Sequence, residues 1–528
     1  MRILLVLLLT LGVLYAKDKD TCYSVQLASF ALKEDSSYNF EEQNYPSSCK
    51  LVKFSNINAV RCGCFEKYGR AKKEQKVLRK TYKHSMIVTT YKYRFAPTKS
   101  IASKQEIQKV EPSPQFIVRT PQQEQPQEIQ EENLLDDLTL QGHVNIAAQS
   151  YITKPSGKHA NNYTASAEIE SAYHKDDFRV FAKLRAQQDY YDLKGTAEHN
   201  DRSYLRAKEL YATYDFPDSQ LFFGKNIRFW GALEVKNITD GFNLSDFRSD
   251  PTENDKMGSW NAAYTYYTDD AEIAAIVKFY EQDRKMPAYP YVYYPFTNQL
   301  IVYDQDIKTE YSRYRPSIFL KYSATADTEY ALDYSFIIEH GYDSQRYYNA
   351  PNIPEYKVYE HAYLVNKLIT YNTLVVDSTL YKLEAVFADV CFDKKISDYY
   401  HLGLGVEHTL TQVYKEADLG LLMEYYKYGT LQDGRYSDLE LFEVFQNDLF
   451  IGGRYSFNEG NDASIVGGAI FDLDYNEQVY YVKYESRIND IFKLHLDYRQ
   501  SEPSKSYETA LKRMGKQKRV SIKAGYYF

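Results

Sequence analysis

From Leu138 to the last residue, apolar and polar positions alternate one for one in long runs. At the C-terminus Val520, Ile522, Ala524, Tyr526 and Phe528 alternate with Ser521, Lys523, Gly525 and Tyr527. Phe492, Leu494, Leu496 and Tyr498 alternate with Lys493, His495, Asp497 and Arg499, and Leu402, Leu404 and Val406 with Gly403, Gly405 and Glu407. Leu419, Leu421, Met423 and Tyr425 repeat the pattern. A period of two belongs to a strand with one apolar face. The repeat runs to roughly ten to fourteen residues, longer than an ordinary sandwich strand and long enough to cross a bilayer at a tilt.

The connections alternate too. Short polar turns fall at 174–177, 217–220, 268–271, 325–328, 377–379, 458–462 and 487–490, and long segments near 190–203, 230–258, 281–311, 340–361, 428–446 and 501–518 separate them. Short turns on one side and long loops on the other mark an outer-membrane barrel. The pattern predicts a mainly β chain: a transmembrane antiparallel β-barrel over 138–528, with about 18 strands and 16 as the alternative. Composition agrees, with 54 Tyr against 2 Trp, since Tyr favours strands and membrane–water interfaces. No interior run of about 18 apolar residues exists, which excludes a helical polytopic membrane protein. The final aromatic, Phe528, resembles the C-terminal signal read by the outer-membrane assembly machinery.

The first 137 residues read differently. Arg2, an apolar run over 3–16 and a small residue at Ala16 describe a secretory signal ending there. Residues 22–95 carry four of the five Cys, and 17–95 hold a net charge of roughly +8. The mature remainder is therefore acidic, and charge divides the protein in two. The order over 22–95 is strand 23–30, polar helix 31–40, hairpin strands 49–54 and 59–65 around Ser55 and Asn56, helix 70–82, and strand 86–93. Ala71, Val77 and Leu78 are expected to face inward on the second helix. This predicts a small α+β, ferredoxin-like βαββαβ module with both helices on one sheet face and the other face free to bind. Residues 96–137 lose periodicity and fill with Pro, Gln and Glu, a solvated linker reaching roughly 120 Å when stretched.

The module's residues resemble a known family. Tyr23, Val25, Gln26, Leu27, Ala28, Ser29 and Phe30 are similar to the Tyr-x-Val-Gln-x-Gly-Ser-Phe first strand of SPOR domains. Val60, Arg61, Cys62, Gly63, Cys64 and Phe65, followed by Ala71 and Leu78, resemble the Val-x-Val-Gly-Pro-Phe strand and its helix. Ala28 replaces a Gly and Cys64 a Pro. The resemblance implies a periplasmic module that binds peptidoglycan glycan strands lacking stem peptides, with Gln26, Ser29 and Arg61 as binding positions. A glycan presents hydroxyl and acetamido groups, which amide and hydroxyl side chains match. The export signal excludes nucleic acid as a partner.

Cys22, Cys49, Cys62 and Cys64 sit in an exported module too small for a large core, so two disulfides are expected. The hairpin favours Cys49–Cys64 or Cys49–Cys62, with Cys22 taking the remaining partner. A four-Cys zinc site is the rival, but Cys-Gly-Cys has one intervening residue where zinc sites usually have two or more. Cys391 is left as a lone thiol. No metal or other cofactor is expected.

Within the barrel, Arg179, Lys183 and Arg185 lie opposite Val180, Ala182, Leu184 and Ala186. Facing the lumen, these cations favour anionic solutes unless acids such as Glu209 compensate them. Residues 224–231 and 240–243 resemble a strand-end and loop pattern of porin-like families. If this loop folds inward, Arg228, Trp230 and Asp240 shape a constriction; Trp230 equally suits an outer aromatic girdle. The aromatic segment 286–296 either stacks on sugars or packs over the mouth, and packing is the simpler expectation. No Gly-x-Ser-x-Gly, zinc-protease, phosphate-loop or Cys-x-x-Cys motif occurs, so an enzyme is not expected. The expected function is a porin-like channel for small hydrophilic solutes, set in outer-membrane lipid and tied to the cell wall. A non-conducting anchor and a septal, division-site wall-binding protein are the alternatives.

Overall fold

The computed structural model describes residues 21–31, 45–46, 48–53, 57–65, 68–79, 82, 86–91, 138–194, 199–249, 254–268, 270–296, 301–327, 330–348, 356–392, 396–431, 443–458, 461–489 and 491–528. The signal segment, the linker and, beyond Ala31, the first expected helix lie outside the described residues.

The N-terminal unit is a four-stranded antiparallel sheet. Its strands are β1 (Thr21–Ala31), β2 (Cys49–Lys53), β3 (Ile57–Phe65) and β4 (Met86–Tyr91), in the order β2-β3-β1-β4. Helix α1 (Tyr68–Arg79) follows β3. Val25, Leu27, Val60, Cys62 and Cys49 form the apolar face, and Leu78 of α1 packs on it. Ala71 is buried as expected, but Val77 is 65% exposed. Ala71 and Leu78 are seven residues apart, two full turns, whereas Val77 stands 100° around the helix from Leu78. Disulfides join Cys22 to Cys64 and Cys49 to Cys62. Gly63, between Cys62 and Cys64, has φ +66°, a backbone state that costs glycine little, and the cysteines on its two sides bond to different strands, β2 and β1.

The second unit is a closed barrel of eighteen antiparallel strands. The first nine are β5 (Leu138–Thr153), β6 (Asn161–Lys175), β7 (Phe178–Asp189), β8 (Tyr204–Phe216), β9 (Ser219–Asn226), β10 (Ser259–Tyr267), β11 (Ala271–Lys278), β12 (Ser317–Asp327) and β13 (Ala331–Tyr342). The remainder are β14 (Leu364–Val376), β15 (Thr379–Val390), β16 (Tyr399–Tyr414), β17 (Ala417–Thr430), β18 (Asn447–Ser456), β19 (Ser464–Asp472), β20 (Gln478–Arg487), β21 (Phe492–Glu502) and β22 (Gln517–Tyr527). Each pairs with its sequence neighbours, and β22 closes on β5, with Tyr527 opposite His143. Gly142 and Phe528 exchange backbone hydrogen bonds of 2.9 and 3.0 Å at the seam. A Cβ on Gly142 would lie 2.8 Å from the Phe528 ring, so glycine there gives the terminal aromatic its seat.

Turns 176–177, 217–218, 377–378 and 415–416 are tight, and Asp176, Asp377 and Lys415 take positive φ in them, as two-residue hairpins demand. The opposite end carries the long connections 227–258, 279–316, 343–363, 431–446 and 503–516. The apolar phase of the alternation faces outward. Val144, Ile146, Phe336, Ile338, Leu368, Phe387, Ile451, Val482, Leu496 and Ile522 are all exposed on the outer wall. A contiguous apolar exterior of this extent has no place in water, where exposed patches rarely exceed a few hundred Å². Tyr214, Phe216, Phe492, Tyr526 and Phe528 ring the short-turn end.

Candidate functional site: the barrel lumen

Segment 227–258 leaves β9 and turns into the barrel. Trp230 is 3% exposed, with Phe242 and Phe319 at ring-centroid distances of 5.3 and 5.6 Å. The same cluster takes in Phe222, Ile276, Ile337, Ile369 and Val386, inward residues of five strands. Beyond this apolar seat the loop is latched to wall strands well removed from β9. Glu384 of β15 accepts the N–H groups of Ala232, Leu233 and Thr239 at 2.5, 2.9 and 3.1 Å, and the Thr239 hydroxyl at 3.1 Å. Glu424 of β17 accepts those of Glu234 and Val235 at 2.7 and 3.0 Å. The Lys236 N–H donates to the Tyr426 hydroxyl at 3.1 Å. Glu234 itself pairs with Lys382 at 3.3 Å and Arg454 at 3.2 Å. A loop crossing an aqueous lumen must satisfy its backbone donors, and carboxylates on the wall do so here.

The three expected constriction residues lie inside this arrangement. Arg228 donates its backbone N–H to Asn243 at 2.8 Å and its guanidinium to Asn261 at 2.9 Å, over the Phe222 ring. Burial draws its pKa down to about 10. Trp230 is on the inside of the barrel, not in a lipid-facing girdle. Asp240 pairs with Lys256 at 3.4 Å, and burial raises its carboxyl pKa. Burial lowers Lys256 to about 8. The loop residues that border the open lumen are instead Glu234–Asn237, Ser245–Phe247, Asn254 and Asp255.

Arg179, Lys183 and Arg185 face inward on β7. Lys183 pairs with Glu168 at 3.0 Å and Glu170 at 2.5 Å, and Arg185 lies 3.6 Å from Asp255. Arg206 and, at 3.0 Å, Lys208 converge on the same Asp255. Burial opposes its charge, but Arg206, Arg185 and Lys208 together hold Asp255 down at about 2. Arg179 rests 5.7 Å from the Phe181 ring centroid. Glu209 accepts the Ile227 N–H at 3.1 Å, so the acids that compensate this ladder are Glu168, Glu170 and Asp255.

Segment 286–296 packs over the mouth. Met286, Tyr291 and Tyr294 are buried. Lys158 donates to the Tyr294 carbonyl at 3.2 Å, and Arg519 of β22 to the Tyr293 hydroxyl at 3.1 Å. Between this cover, the latched loop and the wall of β17–β22 remains a cavity of about 1230 Å³.

In the N-terminal unit, Gln26 and Arg61 are direct cross-strand partners, and the Arg61 guanidinium donates to the Gln26 side-chain oxygen at 3.1 Å. Lys50, opposite Arg61 on the other side, extends the row. These residues occupy the sheet face away from Leu78. That face is less bare than the sequence suggested: Ser24, Ala59 and Arg61 are buried in it. Ser29 pairs with Ala59 through the backbone, and its side chain lies outside the described residues.

The latch residues Glu384 and Glu424 were not legible in the sequence, because nothing distinguishes them from other inward polar positions of alternating strands. No family model and no curated protein matches the chain. Among solved structures, it is similar to Pseudomonas aeruginosa OpdK with vanillate, at 8% identity over 75% of this chain and 100% of that one, TM-score 0.46. A BenF-like porin from Pseudomonas fluorescens Pf-5 gives 7% identity over 75% and 100%, TM-score 0.45. The outer membrane channel DcaP of Acinetobacter baumannii gives 14% identity over 74% and 97%, TM-score 0.39.

Proposed function

We propose that the chain is an outer-membrane channel for small hydrophilic solutes, with an N-terminal unit in the periplasm that holds peptidoglycan glycan strands and ties the barrel to the wall. The observation that carries the channel reading is a closed barrel with an apolar exterior and a polar lumen, narrowed by a loop latched to its inner wall. A barrel of this size encloses water unless loops fill it, and here a loop reduces the bore without filling it. The row Lys50–Arg61–Gln26 supports the wall-binding role, with the Gln26 amide held in place on one sheet face by the buried Arg61 guanidinium. Phe528, paired into the seam beside Gly142, is the aromatic proposed for recognition by the assembly machinery.

The test is conductance of the purified full chain in planar bilayers, with discrete KCl current steps expected. No conductance would remove the channel and leave the non-conducting anchor. The aromatic cover of the mouth is the observation that favours that second reading.

A further inference from the structure

We propose that the cavity beside the latched loop is a site for short apolar peptides with free ends, bound with the ammonium toward the long-loop end; this rests on the channel reading above. The inward residues of β18, β19 and β20 stand in rows fixed by the strand register. Asp448 lies directly opposite Asp472. Phe450, Ile470 and Val479 form the next row. Then comes one row made of the bare positions Gly452 and Gly468 with Tyr481 and Arg499, and finally the row of Arg454, Val466 and Lys483, in which Arg454 is paired with Glu234 of the loop. All except the glycines line the cavity.

Among the described residues, no cation pairs with the acids at one end of this stack and no acid pairs with Lys483 and Arg499 at the other. Two carboxylates directly opposite one another repel, and such a pair is stabilised by a cation between them. Among the described residues neither makes an ion pair: Asp448 accepts the Asn447 N–H at 3.1 Å, and Asp472 accepts the Gln446 amide at 3.0 Å and the N–H groups of Asp474 and Tyr475 at 2.8 and 2.7 Å. At the other end Lys483 and Arg499 make no ion pair among the described residues. Asp497, directly opposite Lys483, is taken by Arg519 and by the Ser521 hydroxyl at 3.2 Å. The wall between the ends is apolar, with Leu422 beside Phe450, Ile470 and Val479.

Length selects the ligand. From Asp472 to Gly468 and Val466, which share rows with Arg499 and Lys483, the chain advances about 13 to 20 Å at ~3.3 Å per residue. An extended peptide covers about 3.3–3.6 Å per residue, so about four or five residues bring an ammonium to the aspartates and a carboxylate to Lys483 and Arg499. A single amino acid reaches only one end. A dianion meets the aspartates and a dication meets Lys483 and Arg499, each with repulsion.

The experiment measures block of single-channel KCl current by the full chain in planar bilayers. The probes are the tetrapeptide Ala-Leu-Leu-Ala, its N-acetyl form and its C-terminal amide. The free peptide is expected to block at the lowest concentration, and each cap to raise the half-blocking concentration about tenfold, as loss of one charged contact does. K483Q with R499Q should erase the effect of the amide cap alone, and D448N with D472N that of the acetyl cap alone. Heat-modifiable migration reports whether the variants fold, and the wild-type cap series needs no variant. Equal block by all three peptides in a conducting wild-type channel overturns the inference and leaves the channel reading standing. Absence of any KCl conductance overturns the channel reading, and the inference with it.

Discussion

Asp255 gathers Arg206, Arg185 and Lys208 around one buried carboxylate, and its pKa of about 2 lies below the ordinary 3.8. A carboxyl whose folded pKa is depressed adds stability that is complete above its unfolded pKa and is lost as pH falls through the folded one. The window here runs from about 3.8 down to about 2. At neutral pH the site contributes about 2 kcal/mol, one pKa unit being about 1.4 kcal/mol. Asp255→Asn should therefore lower barrel stability in urea by about that amount at pH 7. The gap between wild type and variant should close as pH drops below 4, a titration that heat-modifiability gels or tryptophan fluorescence can follow. A constant gap down to pH 2 would contradict the ion cluster. That Lys183 and Arg185 face the lumen was plain from alternation alone, because their neighbours Val180, Ala182 and Leu184 are apolar. Which acids meet them was not: Glu209, the register partner of Lys183, caps a loop N–H instead.

At the scale of elements, the loop over 227–258 is fixed by a few wall carboxylates, not by its own secondary structure. Glu384 alone accepts four donors from it. Leaving buried backbone donors without acceptors costs about 1–3 kcal/mol each. Glu384→Ala combined with Glu424→Ala should free the loop's far end while the Trp230 cluster keeps the near end seated. Single-channel recordings should then show larger and noisier current steps than wild type. Unchanged conductance and noise would mean that the loop does not narrow the path. Strands and turns were readable because their signals are local, such as period-two alternation and Asp at the positive-φ turn positions 176 and 377. Loop placement is not local. The segment 224–231, with Trp230, pointed to an inward fold and to a girdle alike, and only packing against Phe319 and Phe242 separates them.

For the whole molecule, the proposal joins a wall-binding unit to a pore, and its test is co-sedimentation of the full chain with purified sacculi. Gln26→Ala with Arg61→Ala removes both halves of the 3.1 Å contact on the proposed binding face and should reduce the pelleted fraction severalfold, while heat-modifiability of the barrel stays unchanged. Equal pelleting would place wall contact elsewhere. The sequence by itself determined the two-part plan, the barrel class, the apolar exterior and the cysteine framework. Each follows from composition, from short-range periodicity or from the small number of ways four cysteines can pair. Tertiary structure alone decided which cysteines join, how a loop narrows the lumen and which charges along β18–β21 make no ion pair among the described residues. Those outcomes depend on which side chains of different strands and loops meet in space, and a linear pattern carries no record of such distances.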